Sequence, residues 1–318
     1  MTAVASPESA APPRGGEGGP PPQPHRGRGA AHGPSLLFSL PALAFFGLFA
    51  IVPLVGVLVL SFATWDGLGT PTYAGTENWV RVLGDPVVHD AVRLTLLLTV
   101  ATWVLQFPVS VLLGVFMAGA QRYRALLSVL FFLPLLFSAA AVGIAWKALL
   151  DPNFGLARAF GLEWLDQDWL GNPAFSLPTL VFVIGWCFIP FHSLLFQAAA
   201  RQVPASMYEA AQLDGAGRVS TFRHITLPQL RNTMVTSSTL MVVGSLTYFD
   251  LVFVMTGGGP GNATRIMPLD MYLRGFRSYD MGGAAVVGVL LVGVGLTVSF
   301  LLNRLGGSAE MSSQMEGA

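Results

Sequence analysis

Residues 33 to 65 contain no Asp, Glu, Lys or Arg, and the same holds for residues 94 to 121, 125 to 146, 169 to 200 and 281 to 303. Each run exceeds the roughly 20 residues that a helix needs to cross a bilayer's hydrocarbon core. Residues 232 to 264 form a sixth such stretch, broken only by Asp250. In lipid every backbone N–H and C=O must find its partner within the spanning element, and apolar runs of this length satisfy that requirement as helices. With 53% hydrophobic and 11% charged residues and a mean hydropathy of +0.61, the chain has too few charges to cover a soluble surface of its size. The expected fold is therefore all-α. It is a polytopic membrane protein with six transmembrane helices near residues 36 to 62, 94 to 119, 125 to 146, 177 to 200, 233 to 255 and 282 to 302.

Basic residues set the expected orientation. With the N terminus inside, Arg14, Arg26, Arg28, Arg122, Arg124, Arg201, Arg218, Arg223, Arg231 and Arg304 collect on the cytoplasmic side, ten of the 17 Lys and Arg. The C terminus is then cytoplasmic as well. Residues 1 to 34, with eight prolines and seven glycines, form an expected disordered cytoplasmic tail. The six-helix membrane domain covers residues 35 to 305, and residues 306 to 318 a second cytoplasmic tail. The arginines before residue 36 suggest a signal peptide, and Ser61-Phe62-Ala63 faintly resembles a cleavage site; the uncharged run is too long for a signal's apolar region, so it reads as a retained span. The lone Cys187 lies in the fourth span and reads as packing.

Between the fourth and fifth spans, within residues 201 to 231, lies a polar cassette. Ser206 and Glu209 have the spacing of a capping box, which places a helix start near Met207. Gly215 supplies the left-handed residue that ends this short helix. From Gly217 a second short segment carries Val219, Phe222, Ile225 and Leu227 at roughly helical spacing, until Pro228 stops or bends it. Glu209-Ala210-Ala211, then Gly215, then Ile225-Thr226-Leu227-Pro228 resembles the EAA loop of inner-membrane permease subunits in binding-protein-dependent ABC importers. In that family the loop faces the cytoplasm and docks on the ATPase. The resemblance implies an ATPase-coupling role for Glu209, Ala210, Ala211, Asp214, Gly215 and Ala216.

The resemblance extends over most of residues 36 to 304. The segment from Thr256 through Gly257-Gly258-Gly259-Pro260-Gly261 to Asn262-Ala263-Thr264 looks like the stretch after the fifth span in the carbohydrate-uptake branch. Glu77-Asn78-Trp79, Asp85-Pro86, Trp146-Lys147 and Asp151-Pro152-Asn153-Phe154-Gly155 look like the extracytoplasmic loops of that branch. This likeness implies a bacterial inner-membrane permease for a sugar or oligosaccharide. Its implied partners are two ATPase subunits, a second and non-identical permease chain, an extracytoplasmic sugar-binding protein and membrane lipid, but no nucleic acid. The chain is not expected to be an enzyme or to hold a cofactor or metal: its one lysine, Lys147, follows Trp146 and not a phosphate-binding glycine loop. A polyol or glycerol phosphate permease and an ATPase-independent secondary transporter are the alternatives.

Asp250 is the one acidic residue inside an expected span. A carboxylate at mid-membrane costs on the order of 3 kcal/mol on insertion scales unless it faces a cavity or a partner. With Ser245, Thr247, Tyr248 and Phe249 it offers hydroxyls and aromatic faces to a sugar, and these five residues form the candidate substrate path. A second reading has Asp250 capping a broken helix or pairing with an arginine. Pro41, Pro53, Pro108, Pro134 and Pro190 fall within spans, suited to kinked helices around a cavity. For His192, two residues after Pro190, the expectation is a bond to a backbone carbonyl that the proline frees, with contact to the solute as the alternative.

Overall fold

The computed structural model describes residues 36–119, 122–162 and 166–305. The expected tails, 1 to 34 and 306 to 318, lie outside them. The chain divides after Ile51 into two units. In the first, helix α1 (Leu36–Phe46) contains Pro41 and runs into a π-helical turn, Gly47–Ile51. The second begins with α2 (Val52–Leu60) and a two-stranded antiparallel hairpin, β1 (Ala63–Thr64) and β2 (Thr72–Tyr73), with Ala63 opposite Tyr73. Then come α3 (Glu77–Leu83), α4 (Pro86–Met117), α5 (Arg122–Phe131), α6 (Ala139–Leu149), α7 (Leu156–Phe160), α8 (Pro173–Gln202) and α9 (Ala205–Leu213). The remaining helices are α10 (Arg218–Thr221), α11 (Leu227–Gln229), α12 (Arg231–Ser245), α13 (Phe249–Met255), α14 (Met267–Tyr272) and α15 (Met281–Leu305).

Among the described residues four helical stretches are long and apolar enough to span a membrane: Ser39–Leu60, Pro86–Met117, Pro173–Gln202 and Met281–Leu302. The pair α12 and α13, bent by 46° at their junction, makes a fifth if counted as one span. The third expected span is not one helix. It is split into α5 and α6 by a 3-10 turn, Leu133–Leu136, that carries Pro134. Proline has no N–H to donate and disfavours helical geometry in the residue before it. Ser138 then opens α6 as its cap, its Oγ accepting from the Ala141 N–H at 3.2 Å. α4 and α8 also begin earlier than expected, because Asp85 and Asn172 cap them just ahead of Pro86 and Pro173.

Lipid tails are as apolar as leucine, so these helices hold together through close packing at small residues and hydrogen bonds. α4 and α8 lie against each other at Gly114, where an added Cβ would stand 2.5 Å from the Phe196 Cβ and 2.7 Å from the Ser193 carbonyl oxygen. Gly143 of α6 gives way to Val254 of α13 in the same manner, at 3.0 Å. Leu98, Leu180, Val183, Ile184, Leu251, Val252 and Met255 form the main buried cluster across α4, α8 and α13. Gly114→Val forces these helices apart and is expected to cost about 1 to 3 kcal/mol or more. Denaturation in mixed detergent micelles checks it, and an unchanged midpoint would contradict the close approach.

At the hairpin end, charge replaces apolar packing. Asp270, fully buried, accepts from Arg265 Nε at 2.9 Å and Arg274 Nε at 2.7 Å. Arg274 also bonds Asp85, which at the same time caps α4 through the Val87 N–H. The hydrogen bond from Arg274 outweighs desolvation and holds the Asp85 carboxyl below its usual range. Arg81 grips Asp280 with two bonds of 2.7 and 2.8 Å. Burial of Asp280 opposes its charge, but Arg81 and the Gly283 N–H prevail and lower its pKa. Asn78 extends this pair, accepting from Arg81 Nη2 at 3.1 Å and donating to the Ser61 and Ala63 carbonyls.

Candidate functional site

Two features stand out in the second unit, a groove beside the bent helix pair and the cassette that follows the C-terminal end of α8. The bend falls at Leu246 to Tyr248, and Asp250 enters the first turn of α13, where the helix dipole favours a negative charge. Asp250 thus stands at the start of a broken helix, but Tyr248 holds the cap position and no side chain caps α13, so the capping of the second reading is not seen. Asp250 makes no ion pair among the described residues. It is also exposed and lines a groove of about 480 Å³ with Thr247, Tyr248, Phe188, Phe191, His192 and Gly244.

The five expected path residues divide between two faces. Thr247, Tyr248 and Asp250 line the groove. Ser245 does not: it is fully buried, its hydroxyl 2.7 Å from Thr99 Oγ1 and donating to the Val242 carbonyl at 2.6 Å, which fixes it in the α4–α12 interface. Phe249 points into an aromatic cluster, its ring 5.2 Å from Phe253 and 5.1 Å from Tyr272. The Tyr248 ring stacks on Phe188 at 5.1 Å. His192 binds Ser237 Oγ through Nδ1 at 2.9 Å, a side-chain partner where a backbone carbonyl was expected. A carboxylate, hydroxyls and an imidazole beside stacked rings suit a solute that is polar at its rim and apolar on its faces. Phe188, Phe191 and Gly244 carried no distinguishing signal, since apolar residues fill every span.

The first helix of the cassette begins two residues earlier than expected. α9 opens at Ala205 with Pro204 in the cap position, so Ser206 falls in the first turn and caps nothing. Proline presets the extended conformation of a cap, here φ −57° and ψ 133°, without needing the serine oxygen. The other end agrees with the sequence. Gly215 adopts φ +73°, and the Ala216 N–H reaches the Ala211 carbonyl at 2.8 Å while the Gly215 N–H reaches Gln212 at 3.1 Å. That pair of bonds is the Schellman closure of a helix. Tyr208 and Thr226 hydroxyls meet at 3.3 Å and tie α9 to the segment beyond α10. Ala211 is buried and Ala216 half-buried, whereas Glu209, Ala210, Asp214 and Gly215 are exposed. Leu213 and Val219, 89% and 80% exposed, add apolar surface beside them.

Long apolar helices, one of them broken beside a largely apolar groove that carries an exposed carboxylate, together with a polar two-helix cassette, suit a membrane permease subunit. The chain belongs to the family of binding-protein-dependent transport system inner membrane components, whose model matches residues 110–306. It is 33% identical over 298 residues to the diacetylchitobiose uptake system permease protein NgcF of Streptomyces coelicolor, covering 86% of this chain and 82% of that one. Against the arabinooligosaccharides transport system permease protein AraP of Bacillus subtilis it is 28% identical over 277 residues, 86% and 88% of the two chains. A crystal structure of a bacterial ABC transporter that imports the acidic polysaccharide alginate shares the fold, with a TM-score of 0.75 at 21% identity over 85% of this chain and 94% of that one.

Proposed function

We infer that this chain is the membrane-spanning permease subunit of an ATP-driven importer that moves a sugar or oligosaccharide delivered by an extracytoplasmic binding protein. The observation that carries this reading is the cassette: a closed two-helix unit with exposed Glu209 and Leu213, placed between two apolar segments. The relatives' names, diacetylchitobiose uptake and arabinooligosaccharide transport, support a carbohydrate, as do the aromatic rings and the few polar groups that line the groove. In this reading α5 and α6 together make a sixth, broken span. The termini and the cassette are cytoplasmic, and the charged network at the hairpin end faces outward. Two ATPase subunits hydrolyse ATP, and a second, non-identical permease chain completes the path. Glu209, Ala210, Ala211, Asp214, Gly215 and Ala216 transmit ATPase closure to α8 and α12, and the groove at Asp250 receives the solute.

Purification of the tagged chain in mild detergent, with mass spectrometry of the co-purifying proteins, tests the assembly. Recovery of an ATPase and a second polytopic permease, lost when residues 206 to 217 are disrupted, is the expected result. A chain that purifies alone and stable would move a secondary transporter to the front. For the groove, Asp250→Asn should lower uptake about tenfold, or roughly 1.4 kcal/mol of lost interaction. The level of protein in the membrane should hold, because the carboxylate is exposed and unpaired among the described residues. Unchanged uptake kinetics in both Asp250→Asn and Asp250→Ala would remove Asp250 from the path.

A further inference from the structure

About two-thirds of the way along α4 the structure buries a group that the groove does not yet use. Gln106 has no accessible surface, and neither its amide nitrogen nor its amide oxygen has a hydrogen-bond partner among the described residues. One turn further on, Ser110 reaches the Ile189 carbonyl of α8 at 3.4 Å, and Ser193 of α8 buries an unpartnered hydroxyl. Polar groups buried among membrane helices are nearly always paired, so an unpaired amide here calls for a reason. The Tyr248 side chain supplies one. Gln106 lies against the Tyr248 phenol without forming a well-aligned bond to it. Tyr248 is the wall of the groove and sits at the bend between α12 and α13, with φ −71° and ψ 53°, outside helical geometry.

We propose that Gln106 is a gated solute contact: Tyr248 covers it in the conformation described, and movement at the α12–α13 bend brings its amide into the groove. An amide presents two donor hydrogens and an acceptor oxygen in one plane, which matches the paired hydroxyls of a sugar ring. Among the groups lining the groove, Asp250 accepts only and the Thr247 hydroxyl is committed to the Gly244 carbonyl at 2.8 Å, which leaves the Tyr248 hydroxyl and the His192 imidazole to donate. Gln106 adds two further donors, and adds them in one state of the cycle only. A contact made in one conformation and lost in the other is what allows a ligand to bias a conformational equilibrium. The inference rests on the reading of the groove at Asp250 as the solute path.

Cysteine labelling of the assembled transporter tests it, in a Cys187→Ala background, which leaves the chain without a native thiol. Gln106→Cys and Asp250→Cys are each exposed to a small, water-soluble methanethiosulfonate reagent, without nucleotide and after trapping with ATP and vanadate. The expected result is that Gln106→Cys reacts at least about tenfold faster in one state than in the other, and that added Tyr248→Ala removes the difference by opening the site in both. Equal reactivity in the two states, or none, while Asp250→Cys reacts, overturns the gating and leaves the path standing. If Asp250→Cys also stays unreactive, the path itself falls and the inference with it. Gln106→Leu, close in volume to glutamine, gives an independent readout with any oligosaccharide that the unsubstituted transporter takes up. Its apparent KM should rise about tenfold with kcat nearly kept. An unchanged KM overturns the contact.

Discussion

Asp270→Ala is expected to destabilise the protein by about 3 to 5 kcal/mol, the cost of leaving a buried charge without its counter-ion. The carboxylate is fully buried and stands between two guanidinium groups, with Arg265 at 2.7 Å from one oxygen and Arg274 at 2.7 Å from the other. Without it, Arg274, itself only 9% exposed, keeps Asp85 alone, and Arg265 loses its ion-pair partner. The loss would be felt beyond the site. Asp85 caps α4 and Asp270 lies in α14, so the network joins the start of the longest helix to the segment that leads into α15. Asp270→Asn should be milder, since its carboxamide oxygen still accepts a bond from one arginine. Detergent unfolding of the two variants, read with a double-mutant cycle against Arg274→Leu, measures the coupling. Independent, additive losses at 270 and 274 would show that the ion pair contributes nothing. If Asp270→Ala unfolded at the same midpoint as the unsubstituted chain, the buried network would have no structural role.

That network was almost silent in the sequence. Asp270 and Arg274 have the i, i+4 spacing of a helical ion pair, but Asp85 and Arg274 are 189 positions apart and only folding brings them together. The apolar stretches were legible for the opposite reason. Absence of charge over twenty residues is a local property: α15 lies close to the expected 282 to 302, and α4 and α8 cover most of their expected runs but start eight and four residues earlier, where Asp85 and Asn172 cap them. Pro134 shows where that signal stops: prolines occur within helical stretches at Pro41, Pro108 and Pro190, yet at Pro134 the helix gives way to a 3-10 turn because Ser138 stands ready to cap a new one. In the groove, Asp250 was found by its charge. The side each neighbour faces was not, because the bend at Leu246 to Tyr248 resets the helical register and sends Ser245 to the interface with Thr99.

Glu209→Ala is expected to leave the protein folded and in the membrane while uptake falls about 5- to 150-fold, the span of a typical coupling free energy of 1 to 3 kcal/mol. The sequence alone suggested a double loss, of a cap and of a docking charge. With Ser206 in the first turn and Pro204 at the cap, the capping contribution is absent. Glu209 is exposed and forms no ion pair among the described residues, so its removal should change stability by no more than about 0.5 kcal/mol, as for other surface positions. A transport defect in this variant would then report on contact with a partner and not on misfolding. Gly215→Val makes the complementary test. At φ +73° a β-branched residue is strained by roughly 1 to 2 kcal/mol, which loosens the closure between Ala211 and Ala216 and turns α9 relative to α10 without removing any charge. Solute moved per ATP hydrolysed in reconstituted vesicles separates the two effects. Glu209→Ala should lower that ratio by weakening the grip of the ATPase, and Gly215→Val by misaligning the cassette that is gripped. Normal uptake by Glu209→Ala at normal abundance, with Gly215→Val defective, would assign coupling to the shape of the cassette and to exposed Leu213 and Val219, and would take the charge out of the mechanism.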